Sequence, residues 1–526
     1  MSITSVITPN TTILSATEHE GAEALTEKTQ TESVLRKAPP IVSCGVDALD
    51  NILTKIKPID WTPYQTKGRN GEVKPPSEKA YLLRTAEQIL YTADKENTPI
   101  VNHADCIYRY TGTHYKAVNQ MELQNFLIRA AKKCKVPPYT AMYQTFVEKT
   151  IKQFMINSAL HNSNVVEPET SCINLQNLTV FFDKSGPRFE SHSPLRFVRS
   201  CLPFSHDPKA TAPLWQKHLD RALPNPEKQQ YLAMCLALPF YHGKIEKAPI
   251  LYGQQDTGKS TTLEVFKALI GQDNFTSEAL ATLTKTNNEG LFARARLDGK
   301  LANIVTDASA KINDAGIAKV LISREEVAAR HPYGVRGFEM RNYARQIFAL
   351  NDPPHQFFTD AALTKRAAII LFDQQIKGED IDTGFIEKII ETELPGVMNW
   401  IINDGLAQLL KTGRLDPPQC CIEDMAKMQR EFDPVSAWLA EIGWCKGESH
   451  WIVIKDAIKD YDKFRRVHNY QEMTSRTLRR RLEGLGYRTD DKNHSIGLRV
   501  YYSKIEPEKH SDNSEDKICT PADIPF

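Results

Sequence analysis

The chain has 526 residues, 41% of them apolar and 25% charged, with 66 basic against 65 acidic side chains and a net charge of +1. That length excludes a single core and asks for about three or four domains, while a mean hydropathy of -0.42 without an apolar run of spanning length speaks against a membrane role. Ten cysteines, with only Cys420 and Cys421 adjacent and no C-x-x-C pair, point to reduced thiols and no zinc site, and a balanced net charge leaves nucleic-acid binding to be decided by local clusters.

Residues 1–75 are rich in Thr, Ser, Glu and Lys, with few aromatics before Trp61 and weak periodicity only at Val46 to Ile56. They are expected to form a mostly disordered leader. The first fifteen residues lack the basic region and sustained apolar core of a secretory signal, so an intracellular location is expected. Residues 76–204 read as a small α+β module. A helix from Ser77 carries Tyr81, Leu82, Ala86, Ile89 and Leu90, and a hairpin over Cys106 to Val118 turns at Thr111-Gly112-Thr113. Helices at 121–133 and 140–160 follow, then a strand pair at 172–182. His103, His114 and His161 lack metal-ligand spacing and are expected to be ordinary surface or core histidines. Residues 205–246 read as a helical preamble divided by Pro224 and Pro226.

An α/β core is expected over 247–414. The apolar run Ile250, Leu251, Tyr252 predicts a buried strand, followed by the G-x-x-x-x-G-K-S pattern of Gly253, Gly258, Lys259 and Ser260 and by a helix from Leu263. Strand, glycine loop and helix in that order make a phosphate cradle, because bare backbone N–H groups and a helix N-terminus then face an anion. Gly253, Gln254, Gln255, Asp256, Thr257, Gly258, Lys259, Ser260 and Thr261 form the expected ATP-binding set, with Lys259 reaching the β/γ-phosphates and Ser260 holding Mg²⁺. Downstream, KLANIVTDAS is an apolar strand ending in Asp307, a second Mg²⁺ residue; Ala308 follows it, which leaves the base for the attacking water open. QIFALND ends in Asn351, whose carboxamide can hold a lytic water. ALTKRAAIILF places Lys365 and Arg366 before another strand, where a guanidinium could reach a neighbouring subunit's phosphates or simply lie on the surface.

A Pro-containing linker is expected over 415–431 and a DNA-binding unit over 432–505. Helices at 437–442, 451–467 and 473–487, then two strands over 488–502 around a turn at 491–494, match the winged-helix order. The third helix carries Arg476, Arg479, Arg480 and Arg481 among Leu478, Leu482 and Leu485, the densest basic cluster in the chain and suited to DNA phosphates or base edges.

LYGQQDTGKST, KLANIVTDAS, RHPYGVRGFEM, FALND and TKRAAIILF, in this order and spacing, resemble superfamily 3 helicases of the phage, plasmid and poxvirus primase-helicase type. The resemblance spans roughly 194–505 and implies an AAA+-like P-loop ATPase core, a hexameric ring and ATP-driven, 3′ to 5′ movement on single-stranded or forked DNA. By position it implies catalytic roles for Lys259, Asp307, Asn351 and Arg366, and a pore hairpin over Arg330 to Met340 whose Arg330, His331 and Arg336, with Lys319, meet DNA. Residues 1–204 are too short for the primase domain many relatives carry, so priming is expected from a separate chain.

Residues 506–526 read as a flexible acidic tether. Its last residues, Asp523, Ile524, Pro525 and Phe526, resemble the tip of bacterial single-stranded DNA-binding proteins, which implies docking to host replication enzymes through the terminal ring and carboxylate. The expected protein is a replicative helicase of a phage, prophage or mobile element acting in the bacterial host cytoplasm. Its rivals are an origin-binding initiator whose ATPase melts DNA and a regulatory nucleotide-binding module.

Overall fold

The computed structural model describes residues 48–504 except 104–105, 162–164, 166, 184–185, 307–310, 332–336, 342, 353–356, 359, 377–383, 432, 469, 471 and 491–498. The leader before residue 48, Asp307, Arg336, the expected wing turn and the tail with Asp523 to Phe526 therefore lie outside the described residues. Among the described residues no helix is long and apolar enough to cross a membrane. The chain is a multidomain α/β protein arranged around a parallel five-stranded sheet.

In the amino-terminal module, α1 (Ala48–Lys55), α2 (Glu78–Lys95), α3 (Gln120–Lys133) and α4 (Gln144–His161) accompany an antiparallel sheet of β1 (Ile100–His103), β2 (Cys106–Tyr110) and β3 (Tyr115–Ala117). Leu49, Ile52, Leu53 and Ile56 are buried in the same core as Ile89, Phe126 and Ile107. This corrects the leader expectation for residues 48–56: their weak periodicity is one buried helical stripe. The turn between β2 and β3 runs through Gly112 at φ +98°, in the left-handed region that favours glycine. Beside it, burial pushes His114 down to about 4, and its Nδ1 lies 2.9 Å from the Thr113 hydroxyl. A second sheet, β4 (Ser171–Asn174), β5 (Thr179–Asp183) and β6 (Gly186–Glu190), sends Ile173, Val180 and Phe182 into the central core and so fastens the module to it.

The central unit runs through α5 (Pro213–Ala222), α6 (Pro226–Ala237), β7 (Ala248–Tyr252), α7 (Lys259–Ile270), β8 (Phe275–Thr276), α8 (Asn288–Ala295), β9 (Ala302–Val305) and α9 (Ala315–Ser323). It continues with the pair β10 (Val327–Ala329) and β11 (Phe338–Met340), then β12 (Arg345–Leu350), α10 (Ala361–Arg366) and β13 (Ala367–Leu371). The parallel strands lie in the order β8-β9-β12-β7-β13. Alternate residues serve opposite faces: Leu251, Ile347, Ala349 and Ile370 pack toward α5, α6 and α7, whereas Ile250, Phe348, Leu350 and Ile369 pack toward Ala318 and Ile322 of α9. Helices on both faces explain why these strands read as continuous apolar runs. The polar exceptions answer each other, Asn303 donating to Gln346 Oε1 at 2.9 Å between β9 and β12.

After the sheet come α11 (Phe385–Thr392), α12 (Leu394–Trp400), a π-helical turn at Ile401–Leu406 and α13 (Gln419–Glu431). The expected linker at 415–431 is thus mostly helix, held by buried Cys421 and Met428 and by a 2.7 Å ion pair from Lys228 on α6 to Asp424. The final unit is α14 (Pro434–Glu441), β14 (Trp444–Val453), α15 (Ile454–Val467), α16 (Ser475–Gly484), β15 (Thr489–Asp490) and β16 (Arg499–Lys504), its sheet ordered β14-β16-β15. Trp438, Trp444, Tyr461, Leu478 and Val500 form its own core. The expected helix from Trp451 starts only at Ile454, because the preceding residues pair with β16. A register shift between Cys445 and His450 hides that strand's two-residue period.

α5 supports the loop between β7 and α7. Its N-terminus, after Ala212 and Pro213, has no side-chain cap of its own; the buried Glu393 instead accepts the N–H groups of Leu214 at 3.0 Å and Trp215 at 2.9 Å. Glu393→Ala orphans both donors and is expected to lower the thermal midpoint by roughly 5–10 °C, with Glu393→Gln losing less, as read by scanning calorimetry. On the same helix His218, 3% exposed, places Nε2 2.9 Å from the Thr262 hydroxyl, which itself donates to Gly258 O at 2.9 Å. The ring is therefore a neutral Nε2–H donor, and burial pushes it from 6.5 down to about 4. The unfolded chain takes up a proton below pH 6.5 and the folded ring does not until about pH 4, so stability is lost as pH falls through that window, by about 3 kcal/mol for this group. His218→Gln, which keeps a donor to Thr262, is expected to flatten the decline in melting temperature between pH 6.5 and 4. The part that remains carries the contribution of His114, which has the same sign.

Candidate functional site

At the carboxyl edge of the sheet, β7 leads into a loop that cannot carry side chains at two points. A Cβ on Gly253 would stand 2.1 Å from the carbonyl oxygen of Phe372, just past β13. Gly258 sits at φ +88°, and a Cβ there would meet Ala222 and His218 of α5 at 2.9 Å. Between them Asp256 also adopts a left-handed backbone, φ +58°. Its carbonyl accepts the N–H of Ile376 at 2.8 Å, closing the loop from the segment after β13. α7 starts on Gly258 without a side-chain cap, so its first N–H groups face outward from a concave turn.

Lys259 is 4% exposed and folds back into this turn. Its ammonium donates to Gly253 O at 2.7 Å, Gln254 O at 2.5 Å and Thr257 Oγ1 at 3.1 Å. Burial lowers its pKa, with the Asp256 carboxylate pulling the other way. Thr257 is buried and donates to Gln254 O at 2.9 Å, whereas Gln254, Gln255, Asp256 and Ser260 are exposed and Thr261 is partly so. The cradle thus has a positive floor and a backbone rim, which suits a polyanion such as a nucleotide phosphate, with the Ser260 hydroxyl at its mouth for a divalent cation.

The other expected site residues divide between the two edges of the sheet. Leu350 pairs with Tyr252 and Phe348 with Val305, so Asn351, immediately after β12, and Thr306, immediately after β9, leave on the same edge as Gly253. Arg366 lies on the opposite edge, since Ala367 pairs with Ala248 at the start of β7. The five residues of β13 place it about 16 Å from the loop. There its guanidinium is engaged within its own chain, Nη2 to Glu246 at 2.8 Å, Nε to Ser323 Oγ at 2.9 Å and Nη1 to Ala362 O at 3.2 Å. Glu246 is held below the usual carboxylate range, first by a hydrogen bond from Lys244. Lys365 is exposed, and its carbonyl accepts from Lys247.

The expected DNA contacts are also sorted. The expected hairpin segment contains an antiparallel strand pair, β10 and β11, with Ala329 pairing with Phe338, and His331 stacks on Phe338 with ring centres 4.9 Å apart. Arg330 is partly exposed beside it, and its N–H bonds Leu291 O on α8. An arginine that sequence reasoning missed, buried Arg294 of α8, nails the hairpin base down: its Nε donates to Ala328 O at 2.8 Å and its Nη1 to Leu283 O at 2.7 Å. Lys319 forms a 2.6 Å ion pair with Asp360, the residue that caps α10. On α16, Arg476 and Arg480 are exposed, but Arg479 is drawn to Glu483 at 2.7 Å. Arg481 turns inward, 3.5 Å from the buried Asp433 that caps α14, so the cluster does not present its arginines on a single outer face as expected.

Residues 251–366 match a family of unknown function (DUF5906), a stretch that opens inside β7 and closes on Arg366. No curated protein matches. Among solved structures the chain is similar to one described as the A form apo structure of the NrS-1 C-terminal region, at 11% identity and a TM-score of 0.39, covering 78% of this chain and 98% of that one. An A form apo structure of the same region, residues 305–718, gives 11% and 0.39 over 80% and 100%, and a further apo structure gives 10% and 0.37 over 80% and 98%.

Proposed function

We propose that the chain is an ATP-dependent DNA helicase of a phage or mobile-element replication system, working as a ring in which neighbouring copies share each ATP site. One observation supports this reading above the others: the phosphate cradle at Gly253 to Ser260 and Arg366 occupy opposite edges of one sheet. An arginine about 16 Å away cannot serve the phosphates of its own chain, which in this reading leaves those of a neighbouring copy as its target. The strand order supports it as well, because β12, carrying Asn351 at its end, lies between the loop strand β7 and β9. A crevice at the carboxyl ends of parallel strands is where such sheets bind ligands.

In this reading Lys259 gives up its backbone partners to the β/γ-phosphates, Asn351 orients a water, and Arg366 leaves Glu246 to stabilise charge in the neighbouring site. Mg²⁺, when bound, neutralises phosphate charge, with Ser260 and Asp307 as its residues in this chain. DNA is gripped on two surfaces. The β10–β11 hairpin presents Arg330 and His331 from a base that Arg294 holds rigid, and the carboxyl-terminal unit, with its helix, strand, helix, helix, strand, strand order, presents Arg476 and Arg480 on a winged-helix-like scaffold.

Turnover is measured with and without single-stranded DNA. Lys259→Ala is expected to abolish ATP hydrolysis and Arg366→Ala to reduce the DNA-stimulated rate by about 10³-fold. Mixing the two variants should restore part of the rate, since each supplies the half-site the other lacks. Full-speed hydrolysis by a monomeric Arg366→Ala protein overturns the shared site. Removing Arg476 and Arg480 together is expected to lower the slope of log affinity against log salt by about 2, one for each lost phosphate contact, with little change in basal ATPase. An unchanged slope removes α16 from the DNA surface.

A further inference from the structure

Far from the phosphate loop, a cleft of about 180 Å³ lies between β4 of the amino-terminal module and the opposite edge of the central sheet. Ser171, Arg199, Lys300, Arg324 and Arg345 are among its lining residues, and Glu167 is the one carboxylate among the described ones. Most of these charges already have partners. Arg199 meets Asp298 at 3.0 Å, Lys300 donates to Asp273 O at 2.6 Å, and Glu167 lies 3.3 Å from His103.

Arg324 and Arg345 are different. Arg345 opens β12 at 3% exposure and uses Nη1 and Nη2 on the carbonyls of Ile245, at 2.7 Å, and Gly243, at 3.1 Å. Its Nε is buried without a partner among the described residues, and so is the Nε of Arg324, which ends α9 in a left-handed turn at φ +54°. Burial lowers both pKa values, Arg345 to about 9, and the next cause for Arg345 is the like charge of Arg324. Two desolvated guanidiniums that repel each other, both on residues that line the cleft and each with a fully buried Nε left unmet among the described residues, are costly unless an anion joins them.

We propose that this cleft binds a phosphate-class oxyanion between Arg324 and Arg345, at the seam between the amino-terminal module and the core. The planar guanidinium fork matches tetrahedral oxyanions. The volume is below the roughly 300 Å³ at which cofactor pockets begin, so the occupant is a small ion or one phosphate of a larger molecule. The site is independent of the ATPase reading, since it lies at the edge of the sheet away from Lys259.

The test is a titration of full-length protein with potassium phosphate, against potassium chloride at matched ionic strength, read by calorimetry and by the melting temperature. Wild type and Lys259→Ala are expected to bind phosphate and gain stability, while Arg324→Asn, whose side chain tolerates the left-handed turn, binds about tenfold more weakly. Arg345→Gln is the second variant, expected to weaken binding likewise. Binding that is lost in Lys259→Ala but kept in both arginine variants belongs to the phosphate loop and overturns the proposal, as does an equal response to chloride. A dephosphorylated single-stranded oligonucleotide that displaces phosphate assigns the anion to the DNA backbone. Failure to displace it assigns a free ion, and both results keep the site.

Discussion

Everything at the carboxyl edge of the sheet depends on two backbones coming closer than any side chain permits. The strand that enters the loop and the strand that closes the sheet meet at Gly253 and Phe372, where a single added carbon would stand 2.1 Å from a carbonyl oxygen. Five residues on, Gly258 turns left-handed over Ala222 and His218. These approaches give the loop its curvature, and the curvature aims N–H groups and an ammonium at one point. The support beneath is equally specific: α5 carries His218 and borrows its cap from Glu393, so the helices after the sheet help to hold the loop before it.

Short-range patterns were legible in the sequence, and they placed the loop, its strand and its helix correctly along the chain. Continuous apolar runs also located β9, β12 and β13, because parallel strands covered on both faces must be apolar at nearly every position. What remained hidden were side chains whose role depends on distant partners. Nothing near Arg366 in sequence announces Glu246 or Ser323, and nothing near Arg481 announces Asp433. Arg294 and Arg345 look like ordinary surface cations, yet one anchors a hairpin and the other is buried against main-chain carbonyls. Elements were misread for similar reasons. The two turns of apolar residues in α1 are a faint signal in polar surroundings, and β14 is masked by its bulge.

Electrostatics divides this molecule into charges that are spent and charges that are kept. Lys319 and Arg481 are spent on carboxylates that cap helices, and Arg479 on Glu483 of its own helix. Arg366 is engaged too, by a partly exposed carboxylate that also accepts from Lys244 and Ser323. Under the proposed function this is the cation that must exchange its partner to work. Arg324 and Arg345 form a third class, desolvated and, among the described residues, unpaired at Nε.

The ammonium of Lys259 does not wait bare in its cradle. It is already saturated by three neutral oxygens of its own loop. Under the proposed function, an arriving molecule must therefore offer it something better than a peptide carbonyl, which a group of high negative charge density does. On that reading an uncharged nucleoside gains nothing by the exchange, and the loop selects by charge before shape.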